Sequence, residues 1–385
     1  MPSVPFNLTE TDLAWSALSA LLSGPVKPEC LAAGAAIGCT LAQTLVTSAP
    51  MPAVATSMRD GWAVRAADTA GASPYGPVPL ATAFWIEAGD PLPAGTDAVL
   101  EAFDVECGSS HQAALRDAVE GEGLRAEGED APADWVWRRQ GDRFRTVDLL
   151  LLAASGARTV SVRRPKVSLL PLGDEIVTEP ARETLGQFIS QLIYHEGAAL
   201  RVLTPVGDDP VLIAAGLLAG VRDADLVLTI GGTGEGRGDQ ASSGLAAAGR
   251  LVLHGLGVRP GRTAGFGTVE GCPVIMLPGR AEDAFAAWLL LVRPLLRRLS
   301  AASVETPRRV RLSRKITSAV GMAELVLLRR GSEPELADPL ATGSLPLAAL
   351  AQADAVLVVP HGSEGYERGS WVEVLDMPHA HWSSV

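Results

Sequence analysis

Between Pro165 and Ser300 short apolar runs alternate with longer segments whose apolar residues recur at helical spacing. KVSLLPLG, ALRVLTPVG, DLVLTIGG and PVIMLPG read as buried strands. Helices are predicted near Leu185 to His195, near Pro210 to Ala219 and through AEDAFAAWLLLVRPLLRRL. This alternation implies crossover connections, and so a mostly parallel sheet with helices on both faces. The rest of the chain has a different texture. Thr11 to Leu45 is rich in alanine and leucine and predicts helices joined by a turn around Gly24 and Pro25. From Pro50 to about Asp134 short apolar pieces such as GWAV and ATAFWIEAG are punctuated by glycine, proline and acids, which predicts a small β-rich domain. A helix is expected at about Thr146 to Ala157. The final strands AELVLLRR, DAVLVVP and SWVEVLD predict a small β-barrel or sandwich.

The 385 residues exceed what one hydrophobic core serves, so several domains are expected. The division read from the pattern is a helical linking domain of residues 7–49 with 137–165, a β-rich domain of 50–136, an αβα domain of 166–303 and a β-barrel domain of 304–385. Composition narrows the function. A net charge of -12 argues against nucleic acid as a partner, because a phosphate-backbone binder needs a basic surface. No apolar run is long enough to span a bilayer, and MPSVPFNLTETDLAW lacks the basic start and apolar centre of a secretory signal. The expectation is a soluble, cytoplasmic protein without a membrane partner. Cys30, Cys39, Cys107 and Cys272 lie far apart without a CxxC pair, which favours buried thiols in a reducing compartment over a disulfide frame or zinc site. The histidines are scattered as well, and the nearest pair, His379 and His381, reads as solvated.

The candidate chemistry lies in the loops after the strands. DLVLTIGGTGEGRGD, Asp225 to Asp239, delivers a strand into a glycine-rich turn. At the carboxyl edge of a parallel sheet such a turn lets a ligand approach the backbone and leaves successive N–H groups open to an anion. Neither GxxxxGK[ST] nor a convincing GxGxxG is present, and a plain turn remains an alternative for this loop taken alone. PLGDE, Pro171 to Glu175, and LPGRAED, Leu277 to Asp283, are expected at the same edge, the second just before a helix. VRPGR, Val258 to Arg262, sets two guanidinium groups beside a turn, either for a multiply charged ligand or simply for solvent.

Taken together, these segments resemble the molybdopterin molybdenumtransferases, the MoeA and gephyrin E-domain group. SMRDGWAV, Ser57 to Val64, is similar to S-x-M-D-G-Y-A-V; GLRAEGED, Gly123 to Asp130, to N-V-R-x-x-G-E-D; and PLGDE to S-T-G-D-E. The glycine loop is similar to G-G-T-S-V-G-x-x-D, and VRPGRTAGFG with PVIMLPG to the K-P-G-K-P-x-x-F-G and P-V-x-x-L-P-G-N-P block. TGSLPLAALAQADAVLVVP extends the likeness towards the carboxyl terminus.

The resemblance implies an α/β multidomain fold: a MogA-like αβα domain, a β-rich domain and a C-terminal barrel in an elongated homodimer. It implies insertion of molybdenum from molybdate into adenylylated molybdopterin, with the adenylate hydrolysed in the presence of magnesium. The implied catalytic residues are Asp60, Asp130, Glu175 and Asp239, with Asp239 also the candidate magnesium ligand. The implied substrate-binding residues are Ser57, Gly173, Asp174, Gly231, Gly232, Thr233, Arg259, Arg262, Pro278, Gly279 and Arg280. Asp60 would act across the interface on a ligand held by the other subunit. The implied partners are the molybdopterin nucleotide, a MogA-like adenylyltransferase and a client molybdoenzyme.

The chain departs from the family pattern where molybdate should bind. Arg259 and Arg262 replace lysines in a chain whose only lysines are Lys27, Lys166 and Lys315. Asp283 stands where the pattern has a hydroxyl, and a fixed negative charge there is expected to repel an oxyanion. Met322 in GMAE replaces a cation, AGDPLP replaces T-G-A-P-L-P, and RET around Arg182 replaces D-S-N. Arg182 and Arg280 are new cations. These changes leave open a second reading, a non-catalytic carrier or scaffold for molybdopterin with a degenerate molybdate site.

Overall fold

The computed structural model describes residues 8–108, 111–180, 184–333 and 335–378. The chain divides into two compact units. One holds the residues up to Gln43 together with Gln140–Thr146 and everything from Thr159 onward; the other holds Thr44–Arg139 and Val147–Arg158.

The centre of the first unit is a six-stranded sheet in the order Ala199–Val202, Lys166–Pro171, Leu226–Ile230, Cys272–Leu277, Gly265–Val269, Arg250–His254. The first four strands are parallel, as the alternating pattern predicts, and the last two add antiparallel. Side chains of Leu226–Ile230 alternate between two cores. Leu228 packs with Ile189, Phe266, Phe285 and Trp288, whereas Val227 packs with Ile213, Leu217 and Met276 under helix Pro210–Gly220. Asp209 caps that helix by accepting from Val211 N at 2.7 Å, and Pro210 fits its first turn. The long apolar helix predicted after PVIMLPG runs from Ala281 to Leu299, with a wider π-type segment at Trp288–Val292 just before Pro294.

The predicted barrel or sandwich is a barrel. Ala323–Arg330, Leu336–Thr342, Arg308–Leu312, Trp371–Asp376 and Ala355–Val359 pair in succession and close back on Ala323–Arg330. Closure leaves none of the five as an edge strand, and Val310, Val326, Leu328, Leu357 and Val374 fill its core. The predicted helices of Thr11 to Leu45 are corrected. One helix spans Thr11–Ser19, and the chain then forms strand Glu29–Ala32 against Thr159–Arg163. Pro25 and Pro28 stop helix propagation, strand pairing takes Glu29–Ala32, and the alanines that follow keep only a short 3-10 turn, Ala33–Ala36.

The other unit is β-rich, as expected. Strand Gly61–Val64 lies between Ala83–Ile86 and Ala98–Leu100, over a core of Val64, Leu80, Ala98, Leu100 and Ala114. Asp148 opens the helix Asp148–Ala154 and pairs with Arg138 at 2.6 Å. Among the described residues no helix is long and apolar enough to cross a membrane. The four cysteines are free thiols, but only Cys39 is fully buried as expected; Cys30 and Cys107 are exposed, on a short strand and a strand end that face solvent. Arg182, His379 and His381 lie outside the described residues.

Candidate functional site

Strand register brings the predicted loops together. Pro171 lies opposite Ile230, and Ile230 opposite Leu277. The three strands therefore end level, and the turns beginning at Leu172, Gly231 and Pro278 leave from one edge of the sheet. They border a cavity of about 840 Å³ together with the turn Val258–Arg262. Gly173, Glu175, Gly231, Gly232, Thr233, Asp239, Arg259, Arg262, Pro278, Gly279 and Arg280 all line it. Asp174 stands next to this group and accepts from Asp208 N at 3.1 Å.

The glycine turn is tied down at its ends and open between them. Gly231 donates to Leu277 O at 3.0 Å, and Gly232 O accepts from Ala241 N at 2.9 Å. At Gly231 (φ +95°) a Cβ would lie 2.8 Å from Leu172 O, so the close approach of the two turns requires glycine. Thr233 is 2% exposed, meets Thr263 Oγ1 at 3.0 Å and offers its carbonyl to His254 Nε2 at 2.9 Å. Asp239 folds the far end back by accepting from Gly236 N at 2.7 Å. Among the described residues the N–H groups of Gly232, Thr233 and Gly234 have no hydrogen-bond acceptor, which suits them to an anion.

Beside this cradle lies a group of acids. Asp208, which the sequence reading missed, lines the cavity with Glu175 and Asp239. Its carboxyl is raised above the ordinary value, first by burial. The Asp174 N–H opposes the shift, while the negative charges of Asp174, Glu175 and Asp239 add to it. No cation among the described residues pairs with Glu175, Asp208 or Asp239. The available signal was an acid in GDDP, after strand Ala199–Val202 and before the Pro210 helix, the same strand-to-helix position that PLGDE occupies.

The arginine side is held by acids. Arg259 Nη1 lies 3.3 Å from Oε1 of Glu324, a carboxylate only 5% exposed and likewise missed in the sequence. Strand pairing sets this contact, because Val258–Arg259 runs parallel to Ala323–Glu324. Arg280 is 78% exposed, pairs with Glu282 at 2.6 Å and faces Asp283 at 3.7 Å. Met322 also lines the cavity. Asp283, expected to repel an oxyanion unless a new cation such as Arg280 paired with it, faces Arg280 and also accepts from Gly261 N at 2.6 Å.

Ser57, Asp60 and Asp130 belong to the other unit, where SMRD, AGDPLP and GLRAEGED run side by side. Ser57 N donates to Asp90 O at 2.9 Å, and Ser57 pairs with Leu124 in register. The Ser57 hydroxyl is buried and donates to Arg59 O. Asp60 is exposed and accepts from Ala88 N at 2.8 Å, while Asp130 is exposed and pairs with Arg125 at 3.2 Å.

The αβα layer that carries the sheet-edge cradle and the five-stranded barrel that follows it both correspond to matches with known families, which class the chain among molybdopterin-binding proteins. Residues 168–298 match the probable molybdopterin binding domain, residues 10–156 the MoeA N-terminal region (domain I and II) and residues 309–377 the MoeA C-terminal region (domain IV). The chain belongs to the MoeA family of molybdopterin molybdenumtransferases. It is 28% identical over 402 residues to molybdopterin molybdenumtransferase 1 of Mycobacterium tuberculosis, covering 90% of this chain and 94% of that protein. It is 26% identical to the molybdopterin molybdenumtransferase of Bacillus subtilis, covering 87% and 86%. The molybdopterin biosynthesis MoeA protein from Pyrococcus horikosii superposes with a TM-score of 0.69 at 26% identity, covering 96% of this chain and 98% of that one.

Proposed function

We propose that the cavity binds adenylylated molybdopterin and that the chain transfers molybdenum from molybdate to its dithiolene, hydrolysing the adenylate and releasing AMP. One observation carries this reading. In a single cavity of a MoeA-family chain, unengaged glycine-turn N–H groups lie beside Glu175, Asp208 and Asp239, with a turn carrying Arg259 and Arg262. The N–H groups and helix-side turn suit the pyrophosphate, and the guanidinium groups suit the oxyanion. The carrier reading is not favoured, because relatives matched over most of their length are named as transferases.

The acids fit magnesium. Among the described residues no three acidic, histidine or cysteine side chains form a ready-made metal cage. Magnesium commonly takes only one or two carboxylates, completing its octahedron with water and substrate phosphate oxygens. Asp208, Asp239 and Glu175 line the cavity without a described cation to pair with them, so Asp239 and Asp208 would hold the ion and Glu175 would orient water. A bound magnesium supplies neutralisation of the pyrophosphate charge during cleavage.

We assign Ser57, Asp60 and Asp130 to the same ligand from a second copy of the chain, so that activity needs a homodimer. The four-part domain division of the sequence follows this reading, with the β-rich part presenting Asp60. A cytoplasmic site of action suits four free thiols. A MogA-like adenylyltransferase would supply the substrate, and an apo molybdoenzyme would receive the product. Complementation of an insertase-deficient strain tests the proposal. Restored molybdoenzyme activity that is lost in both Asp60→Ala and Asp239→Ala supports it; failure of the well-expressed wild-type chain to restore activity removes it.

A further inference from the structure

We propose that Asp283 is a positioning residue that fixes the turn carrying Arg259 and Arg262, and is not a charge presented to the incoming oxyanion. The inference rests on the reading of this end of the cavity as the molybdate site. The turn hangs from two supports. On one side, Glu324 holds the Arg259 guanidinium at 3.3 Å, and the adjoining backbone pairs with the barrel strand. On the other, Asp283 Oδ1 takes the Gly261 N–H at 2.6 Å, in a turn where Gly261 has φ +109°.

The backbone around Gly261 shows why this bond matters. Gly261 O accepts from Ala264 N at 3.1 Å and Arg262 O from Leu256 N at 2.9 Å, so the carbonyls are engaged by the chain itself. Among the described residues the Gly261 N–H has Asp283 as its acceptor. The second Asp283 oxygen faces Arg280 Nε at 3.7 Å. Asp283 itself lines the cavity, with Oδ1 bonded to Gly261 N and Oδ2 at ion-pair distance from Arg280, so the carboxylate is engaged on the wall before any ligand arrives. Arg262, the next residue, is exposed, lines the cavity and forms no ion pair among the described residues. Its guanidinium is the open cation of this end, and its place depends on the turn that Asp283 braces. An acceptor on the first turn of helix Ala281–Ala287 thus takes over the bracing of a turn whose cations meet the anion.

The carboxylate's role as acceptor is separable from its charge. Asp283→Asn keeps a carbonyl oxygen for Gly261 and removes the charge, whereas Asp283→Ala removes both. Sodium molybdate titrated calorimetrically into the full chain is expected to bind about 10-fold more weakly to Asp283→Ala, the scale of one lost charge-assisted hydrogen bond. Asp283→Asn is expected to stay within about threefold of wild type. Faster amide exchange at Gly261 in the alanine variant alone would accompany the weaker binding. Should Asp283→Ala prove unstable, Asp283→Asn still decides the matter, because a facing charge predicts markedly tighter molybdate binding once it is removed. Wild-type affinity in Asp283→Ala, or tighter binding in Asp283→Asn, overturns the inference alone. No molybdate binding by the wild type, with the molybdopterin nucleotide still bound, overturns the oxyanion reading and this inference with it.

Discussion

Two acidic clusters in the same compact unit are built in opposite senses. Glu196 is buried among cations: Arg293 Nε lies at 3.0 Å and Arg143 Nη2 at 3.2 Å, and Arg293 also reaches Glu305 at 2.6 Å. Burial alone would raise its carboxyl, but the His195 hydrogen bond and the charges of Arg293 and Arg143 hold it down at about 2. Asp208 is the reverse. It shares the cavity with Glu175 and Asp239, no described cation answers them, and its carboxyl is raised, first by burial and then by the neighbouring negative charges. The first cluster is complete within the fold and stabilises it. The second holds negative charge that folding leaves uncompensated, the arrangement expected where an external cation and its phosphate ligand bind.

The largest expected effect is on catalysis. Asp208→Asn is predicted to reduce AMP release by about 100-fold or more, the upper range for disturbing a metal site, while thermal stability stays the same or rises as like charges are relieved. Glu196→Gln should do the opposite. Arg293 keeps Glu305 but loses its buried carboxylate, which is expected to cost about 1.5–3 kcal/mol in urea denaturation, with turnover per folded molecule little changed. An equal loss of stability in both variants would erase the contrast.

A smaller effect separates the clusters by pH. The depressed Glu196 carboxyl contributes stability that is present above its unfolded value of 4.5 and is lost as pH falls towards about 2. Acid denaturation followed by circular dichroism should lose part of its slope in that window in Glu196→Gln. Asp208 carries the other sign: its raised carboxyl favours the protonated folded state, so its contribution weakens as pH rises through the folded value. The smallest effect is magnesium-dependent stabilisation without substrate. Magnesium at 100 times its dissociation constant would add about 2.7 kcal/mol. That gain should vanish in Asp239→Asn and persist in Glu196→Gln.

Much of this site was legible because the sheet makes it so. Three apolar runs ending in glycine-bearing turns imply three strands whose carboxyl ends meet, and the register of Pro171, Ile230 and Leu277 realises that geometry. The glycines, Glu175, Asp239 and the two arginines therefore converge as expected. Asp208 escaped notice because an acid before Asp209 and Pro210 reads as part of a helix cap. The pairings of Glu324 with Arg259 and Asp283 with Gly261 are long-range, 65 and 22 residues apart, and no spacing rule reaches them. The charge of Asp283 was visible in the sequence; its bond to Gly261 N was not. The segment after Ser19 failed differently, since its alanines carry helical propensity while strand Glu29–Ala32 owes its form to a partner beginning at Thr159.

The most direct measurement is AMP release by the purified chain given adenylylated molybdopterin, molybdate and magnesium, set beside the Asp239→Asn variant. Magnesium-dependent release by the wild type, reduced at least about 100-fold in a variant that melts at the same temperature, is the predicted result. Equal release by both proteins, or release indifferent to magnesium, would contradict the account.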